Sequence, residues 1–398
     1  MSGLQPMRLD GGGERPEGTR AAACRVLVLG VGGGGCNSVA RMAAGWTTGP
    51  ETRLVNTDAQ ALAACGMPDR QLLVGRSLTR GMGTGGDPHL GRLALEEDAD
   101  LVREILVGAD VLLLVVTFGG GTGSGAAPAI ARLAREAGVT TIGLATLPFE
   151  FEGLRRRQLA AEGLEALRLH ADMVVTIPNQ HLLDLAGDQE SLQDAFARTD
   201  AMLGIGVRSL WKLLTQPGII NLTLADLRNM VEHSSGSCTF GYAEGSGSKK
   251  AELSLARLMK SPLLGEGTLL AAAQALLVNI VGGPDLALAE VTRIMNELTA
   301  KARPDVRFFP GAAIEEDWKG RIAIVVLAAE SWDESTALPQ SAPVAQDLPS
   351  RSAGVQPELP FSEEERGRFR GVDPTVVEGR DLDIPTYLRR GIRLSFER

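Results

Sequence analysis

The sequence is short of aromatic residues, histidine and cysteine and has no long apolar run, and each shortage closes off a class of function. Phe, Trp and Tyr make up 4% of the chain, too few for the stacking platforms that hold single-stranded nucleic acid. The four cysteines, Cys24, Cys36, Cys65 and Cys238, lack the paired short spacings of a zinc site or a disulfide framework, so a cytoplasmic protein is expected. Its four histidines, His89, His170, His181 and His233, form no constellation suited to a metal or a general base. No apolar stretch approaches the roughly 18 residues of a membrane-spanning helix, and MSGLQPMRLDGGGERPEGTR at the N-terminus has no apolar core of a secretory signal. Positive charge is not in surplus either. A formal net charge of -9 repels a polyanion, so general binding to DNA or RNA is not expected.

What is present is glycine, 48 residues of it, in a chain whose 44% hydrophobic and 22% charged content is that of a globular protein. At 398 residues the expectation is two domains with tails. Residues 1–23 lack any period and are expected to be a disordered arm. From Cys24 onward, short apolar runs alternate with helical stretches. The strands expected are RVLVLG before Gly30, Arg53 to Asp58, Asp110 to Thr117, Thr140 to Thr146 and Asp172 to Pro178, the pattern of a mostly parallel α/β sheet buried on both faces. This first unit, 24–186, precedes a long helix from about Gly187 to Thr215, taken as the hinge region 187–220. A smaller α/β unit, 221–332, follows, with strands at Cys238–Ala243, Ala275–Val281, Val306–Ile314 and Arg321–Ala329 and helices near Lys249–Met259 and Leu286–Ala300. Residues 333–380 are rich in Pro, Ser, Glu and Arg and read as a disordered linker; a flexible coil of that length spans roughly 40 Å.

Two glycine clusters carry the chemistry. The first, Gly30-Val31-Gly32-Gly33-Gly34-Gly35-Cys36-Asn37, lies between a strand and a helix and satisfies G-x-G-x-x-G, which alone suggests a dinucleotide site with Asp58 placed for a ribose contact. Residues without a Cβ let backbone amides approach phosphate oxygens, and the helix start adds partial positive charge. Four consecutive glycines exceed what a turn needs. The second cluster, Gly119-Gly120-Gly121-Thr122-Gly123-Ser124-Gly125, repeats the arrangement after another apolar strand. An ordinary nicotinamide dehydrogenase uses one such loop, so two argue for a ligand with several phosphates. No G-K-[ST] occurs, which excludes a Walker loop and leaves neutral amides to hold the phosphates, with Mg²⁺ as the expected counter-charge.

The run GGGTGSG resembles the signature of tubulins and of FtsZ, the bacterial cell-division GTPase family. Further segments keep the family's order: GVGGGGCN at Gly30, NTDAQAL at Asn56, GMGTGGDP at Gly81, PFEFEGLRRR at Pro148, VTIPNQHLL at Val175, PGIINLTLADLR at Pro217 and SPLL at Ser261. The likeness spans about 24–331. It implies a tubulin-like fold: an N-terminal Rossmann-like GTP-binding domain with a mostly parallel sheet, a long central helix and a smaller α/β C-terminal domain. It also implies roles residue by residue. The amides of Gly33, Gly34, Gly35 and Cys36 would touch the phosphates of GTP or GDP, and Asn37 the guanine. Gly121, Thr122 and Gly123 match the second phosphate grip, and Thr84, Gly85 and Gly86 the loop beside the γ-phosphate. Glu152 and Arg156 match a pair reaching the ribose and phosphates, Asn179 a further contact, Phe196 the residue against the base and Asp200 the carboxylate that reads it. A carboxylate accepting from guanine N1-H and N2-H₂ rejects adenine, which lacks that donor pair. Blander readings stand beside these: Glu152 and Arg156 as a surface pair four apart, Phe196 as core, Asp200 facing solvent.

Members of this family stack head to tail, and a loop of one copy completes the nucleotide site of the next, so the resemblance implies an open homopolymer and GTP hydrolysis at the shared interface. That loop is Asn221-Leu222-Thr223-Leu224-Ala225-Asp226, with Asp226 to polarise water, Asn221 to position it, and Thr223 where the family pattern N-x-D-x-x-D has its first aspartate. A hydroxyl cannot supply that charge, and a slow GTPase is expected. Thr117 and Phe118 replace the usual Gly-Met before the second cluster, and Gln180 replaces an aspartate after Pro178-Asn179. The segment from Asp381 to Arg390 resembles the family's terminal peptide, which docks on membrane-tethering and regulatory division proteins; Ile384, Tyr387 and Leu388 can form its apolar face, and a solvated tail is the alternative. The function implied is a cytoplasmic filament of the division ring that binds and hydrolyses GTP. Its alternative is a structural or regulatory GTP-binding filament with little turnover. A nicotinamide oxidoreductase rests on the first cluster alone.

Overall fold

A computed structural model describes residues 24–180, 191–215, 223–233 and 237–329, together with two short strands at Val376–Val377 and Arg380–Asp381. Ten strands of the main body join in one sheet: β1 Val26–Val31, β2 Glu51–Asn56, β3 Gln71–Leu73, β4 Val111–Thr117, β5 Thr140–Leu147, β6 Met173–Pro178, β7 Ser237–Ser246, β8 Ala275–Gly282, β9 Arg307–Ile314 and β10 Arg321–Ala329. The helices are α1 Gly32–Ala44, α2 Ala59–Ala64, α3 Arg76–Thr79, α4 Pro88–Glu97, α5 Ala99–Leu106, α6 Gly121–Glu136, α7 Leu154–Arg168, α8 Leu192–Thr215, α9 Leu224–His233, α10 Lys250–Met259, α11 Thr268–Ala272 and α12 Leu288–Lys301.

Strand order is β3-β2-β1-β4-β5-β6-β7-β10-β8-β9, with every pair parallel except the two that β10 makes with β7 and β8. The chain leaves β1 towards β2 and returns on the other side as β4, so the carboxyl ends of β1 and β4 flank a topological switch point, where an open α/β sheet leaves a crevice. Both glycine clusters follow these two strands.

The strands nearest the switch point are apolar without interruption because both faces are covered. Val26 and Val28 of β1, with Val111, Leu113 and Val115 of β4, face a core shared with α1, α8 and α9. Their neighbours Leu27, Leu29, Val31, Leu112, Leu114 and Val116 face a second core with α5, α6 and α7. A period of two thus builds two layers from one strand. The second half repeats the device. Leu276, Val278 and Ile280 of β8 meet α10 and α12, while Ala275 and Leu277 face the core to which α8 contributes Leu210 and Leu213. Lys212 of α8 pairs with Glu315 beyond β9, both largely buried.

Most expected elements are present within one or two residues, with two differences. The strand expected at Arg53 to Asp58 is β2 at Glu51–Asn56, because Asp58 turns the chain: its carboxylate accepts the amide of Ala61 at 2.9 Å and caps α2. The short half-exposed β3 has no counterpart in the sequence reading. The long helix is described from Leu192; its expected start at Gly187 lies outside the described residues. The strands of the smaller unit continue the same sheet, since β7 pairs with β6 through Val174, Val175 and Thr176. In a separate unit, Val376 pairs with Asp381 and Val377 with Arg380, antiparallel.

Close packing of α4 on α6 brings the Thr84–Gly86 loop to the sheet's crevice. A Cβ on Gly125 of α6 would lie 1.9 Å from the carbonyl oxygen of Pro88 and 2.7 Å from the amide of Arg92. Alanine favours a helix over glycine by about 1 kcal/mol, but the clash is with backbone and decides the sign. Gly125→Ala is expected to destabilise the protein by about 1–3 kcal/mol, read as a lowered midpoint in thermal or denaturant unfolding.

Candidate functional site

Helix α1 starts at Gly32 directly after β1, and α6 starts at Gly121 two residues after the turn that follows β4. The first amides of a helix have no carbonyl partner within it. In α6 the first backbone amide with such a partner is that of Ser124, which donates to Gly120 O at 3.3 Å. The helix amides before it have no partner among the described residues, and the cap residue of neither helix bonds to it through a side chain. Gly33 and Gly34 of the first start and Gly121, Thr122 and Gly123 of the second line one cavity of about 870 Å³. Two partial positive charges therefore face one space, each favouring an anion. Thr84, Gly85 and Gly86 supply the facing wall. Three threonine hydroxyls meet there: Thr57 Oγ1 lies 2.6 Å from Thr122 Oγ1, and Thr84 Oγ1 lies 3.5 Å from it.

Away from the helix starts the lining changes character. Phe196 of α8 meets Phe149 edge to face with ring centroids 5.4 Å apart, and the rim beside it carries Asn37. Asp200, 4% exposed, forms an ion pair with Arg41 of α1, Nε donating to Oδ2 at 2.5 Å. Neither a solvent-facing Asp200 nor a Phe196 sealed in the core describes these positions. Glu152 and Arg156 do form the pair their spacing suggests, at 2.6 Å, and it stands on the cavity wall; the other oxygen of Glu152 accepts the amide of Phe149 at 2.9 Å. Two buried asparagines in the lining have unused capacity: Asn179 Oδ1 and Asn56 Nδ2 have no protein partner. Buried polar atoms are rarely left so, and a bound ligand would satisfy them.

Residues 25–187 match the Tubulin/FtsZ family GTPase domain, and residues 236–331 match the FtsZ family C-terminal domain. A "Cell division protein FtsZ 1" of Archaeoglobus fulgidus is 39% identical over 308 residues, 77% of this chain and 82% of the relative. The chain belongs to the Tubulin/FtsZ family. A "Cell division protein FtsZ" of Caulobacter vibrioides is 37% identical over 324 residues, 81% of this chain but 63% of the relative, so the chain spans under two thirds of that protein's length. Among solved structures, "FtsZ dimer, empty (M. jannaschii)" superposes with a TM-score of 0.72 at 31% identity, covering 78% of this chain and 89% of that one.

Of the residues that family resemblance assigns to the nucleotide, all but two line the cavity. Gly35 and Cys36 do not. In a helix starting at Gly32, the amide of Gly35 is the first that finds a carbonyl four residues earlier, so the two are already inside the helix ladder. Gly35 instead allows α1 to touch β4, where a Cβ would lie 2.5 Å from Val115 O. The Cys36 thiol is buried, donates towards Gly30 O and Val55 O, and is pushed well above its ordinary pKa by desolvation and then by Cys65, which makes it inert. Arg41, Asn56 and Thr146 also line the cavity, and the sequence reading gives them no role there.

Thr223 and Asp226 stand at the start of α9 and do not line the cavity; Asn221 lies outside the described residues. They form a reciprocal cap. The amide and hydroxyl of Thr223 donate to Asp226 Oδ2 at 2.8 and 2.6 Å, and the Asp226 amide donates back to Thr223 Oγ1 at 3.1 Å. Gln180 Oε1 accepts the amide of Glu150 at 3.2 Å. The carboxylates in the cavity are all engaged: Asp58 caps α2, Glu152 pairs with Arg156 and Asp200 with Arg41. Among the described residues no cluster of His, Cys, Asp or Glu could itself hold a metal. That donor set suits an ion carried by phosphate oxygens and water rather than by a protein cage.

Arg41 is half exposed while Asp200 is not, so loss of the cation leaves a buried charge only partly compensated by water. Arg41→Met is expected to destabilise the protein by about 1–2 kcal/mol, below the range for fully buried pairs. Adding Asp200→Asn should restore part of that loss, measured as a double-mutant cycle in denaturant unfolding.

Proposed function

We propose that the protein binds GTP or GDP in this cavity, polymerises head to tail into filaments, and serves bacterial cell division as a cytoplasmic ring at the division site, hydrolysing GTP where two copies meet. The observation that carries the reading is the pairing of two uncapped helix starts with a buried carboxylate in one cavity. A polyphosphate suits the amides of Gly33, Gly34, Gly121, Thr122 and Gly123. Guanine suits Asp200, with Phe196 against its face and Asn37 at its rim. Mg²⁺ would arrive on the phosphates, held by their oxygens and by water with the Thr84 and Thr122 hydroxyls nearby, and would neutralise charge as the terminal phosphate departs. Self-association is supported by the relationship to a solved structure described as a dimer.

Hydrolysis needs a group that orients water, and the cavity offers no unengaged carboxylate for it. On this reading Asp226 and Asn221 of a neighbouring copy supply it, so turnover waits for assembly. The cap between Thr223 and Asp226 favours slow chemistry, because Oδ2 of Asp226 already accepts two hydrogen bonds, which holds the carboxylate to its own helix. That is the specific support for the second reading, a filament that binds GTP and turns it over little. Docking of Asp381 to Arg390 on membrane-tethering and regulatory proteins rests on the resemblance of that segment alone.

Sedimentation with GTP, GDP and a non-hydrolysable analogue, with phosphate release followed in parallel, separates assembly from chemistry. Pellets are expected with GTP and the analogue and not with GDP, and release should rise with protein concentration more steeply than first order. A chain that stays monomeric with GTP and Mg²⁺, or retains no guanosine nucleotide, ends the proposal. Thr223→Asp removes the hydroxyl from the cap and adds charge, and is expected to raise turnover per pelleted subunit about tenfold or more. No rise would clear Thr223 as the slow element.

A further inference from the structure

At the end of β4 one side chain stands between the two helix starts. Thr117 lines the cavity. Its side chain lies against the first turn of α1, where a Cβ on Gly34 would come within 2.5 Å of Thr117 Cβ and Oγ1. Its carbonyl oxygen lies against the first turn of α6, 2.7 Å from where a Cβ on Gly123 would be. The hydroxyl is therefore at the seam between the two sets of free amides.

Hydrogen-bond accounting decides what this hydroxyl can do. Thr146 Oγ1 has one proton and two acceptors in reach, Thr117 Oγ1 at 2.9 Å and Val116 O at 3.4 Å; the shorter contact takes the proton, which makes Thr117 the acceptor of that pair. A threonine hydroxyl has one proton to give, and that of Thr117 has no acceptor among the described residues. Phosphate oxygens only accept, so a spare donor beside free amides matches them in sign. We propose that Thr117 Oγ1 donates a hydrogen bond to a phosphate oxygen of the bound nucleotide, adding a side-chain donor to a cradle otherwise built from backbone. The usual residue at this place in the resemblance is glycine, which has no hydroxyl, so the contact is an addition belonging to this chain. It rests on the reading of the cavity as a guanosine nucleotide site.

Thr117→Val and Thr117→Ala remove the donor at two different volumes, and Thr117→Ser keeps it. In the first two, Thr146 can turn to Val116 O, already 3.4 Å away, so no buried donor is stranded. Binding of GTP and GDP in the presence of Mg²⁺ is measured by titration calorimetry on the full chain, with thermal unfolding of the nucleotide-free forms as the control for folding. Val and Ala are expected to raise Kd for both nucleotides about tenfold or more, with Ser binding as the parent does. Unchanged affinity in Ala or Val overturns the assignment. So does a Ser variant as weak as Val, since packing against Gly34 rather than the donor would then be at stake. A parent chain that binds neither nucleotide overturns the reading of the cavity along with it.

Discussion

The structure depends on two helices being allowed to start where two neighbouring strands end, with nothing capping them. Each start leaves unpaired amides and a partial positive charge of about half a unit. In water such an end is worth little to an anion, about 0.3–1 kcal/mol, but two that share a partly enclosed space act on the same ligand and are screened less. The protein's net charge is -9, so long-range attraction cannot gather a polyphosphate; local amides must. Glycine makes the geometry available. At Gly35 a side chain would strike Val115 O, and Gly32 sits at φ +71°, where other residues are strained. The abundance of glycine noted at the outset is thus spent on bringing two helices down onto two strands.

This arrangement gives the cavity a polarity that can orient a ligand before any specific contact is counted. One end is rich in donors, the other holds the Asp200 carboxylate. A nucleotide entering with its phosphates towards Asp200 would meet a like charge in a buried site, whereas the reverse pose matches both ends. Arg41 refines that end. Because it already occupies Asp200 Oδ2, a purine edge in the proposed pose would share the carboxylate or displace the cation, and a ligand with one donor would have less to offer than one with two. In that pose discrimination would come from how completely the buried carboxylate is satisfied, a stronger lever than shape alone.

Much of this was legible in the sequence, and the failures have physical causes. The strands around the switch point show as apolar runs because they are buried on both faces, and the glycine clusters mark where helices must start. Asp58 was read as strand or ribose contact because an aspartate ending an apolar run looks the same whether it meets a ligand or caps a helix. The three residues of β3 are half exposed and carry no run that could reveal them. Arg41 pairs with a residue 159 positions away, a separation at which no local pattern speaks. The resemblance assigns Gly35 and Cys36 to the phosphates, yet neither lines the cavity, because the helix ladder closes after its first turn whatever residues it contains. The resemblance carried what composition could not, above all the Thr84 to Gly86 loop, whose place at the cavity depends on α4 packing against α6.

The loop at Thr223 shows how one substitution can move a group between two roles. Thr-x-x-Asp at a helix start is a capping signature, and a cap is worth about 1 kcal/mol to the helix. Two aspartates at these positions would repel each other across the same turn and leave both carboxylates seeking a cation or a proton. With a threonine, the hydroxyl and the carboxylate satisfy one another, and α9 gains an ordered start. On the proposed reading, chemistry asked of Asp226 would draw on a carboxylate whose Oδ2 is already bound to its own helix. Under that reading the cap would slow such chemistry without forbidding it, and stability of the loop and speed of turnover would be opposing demands on a single carboxylate.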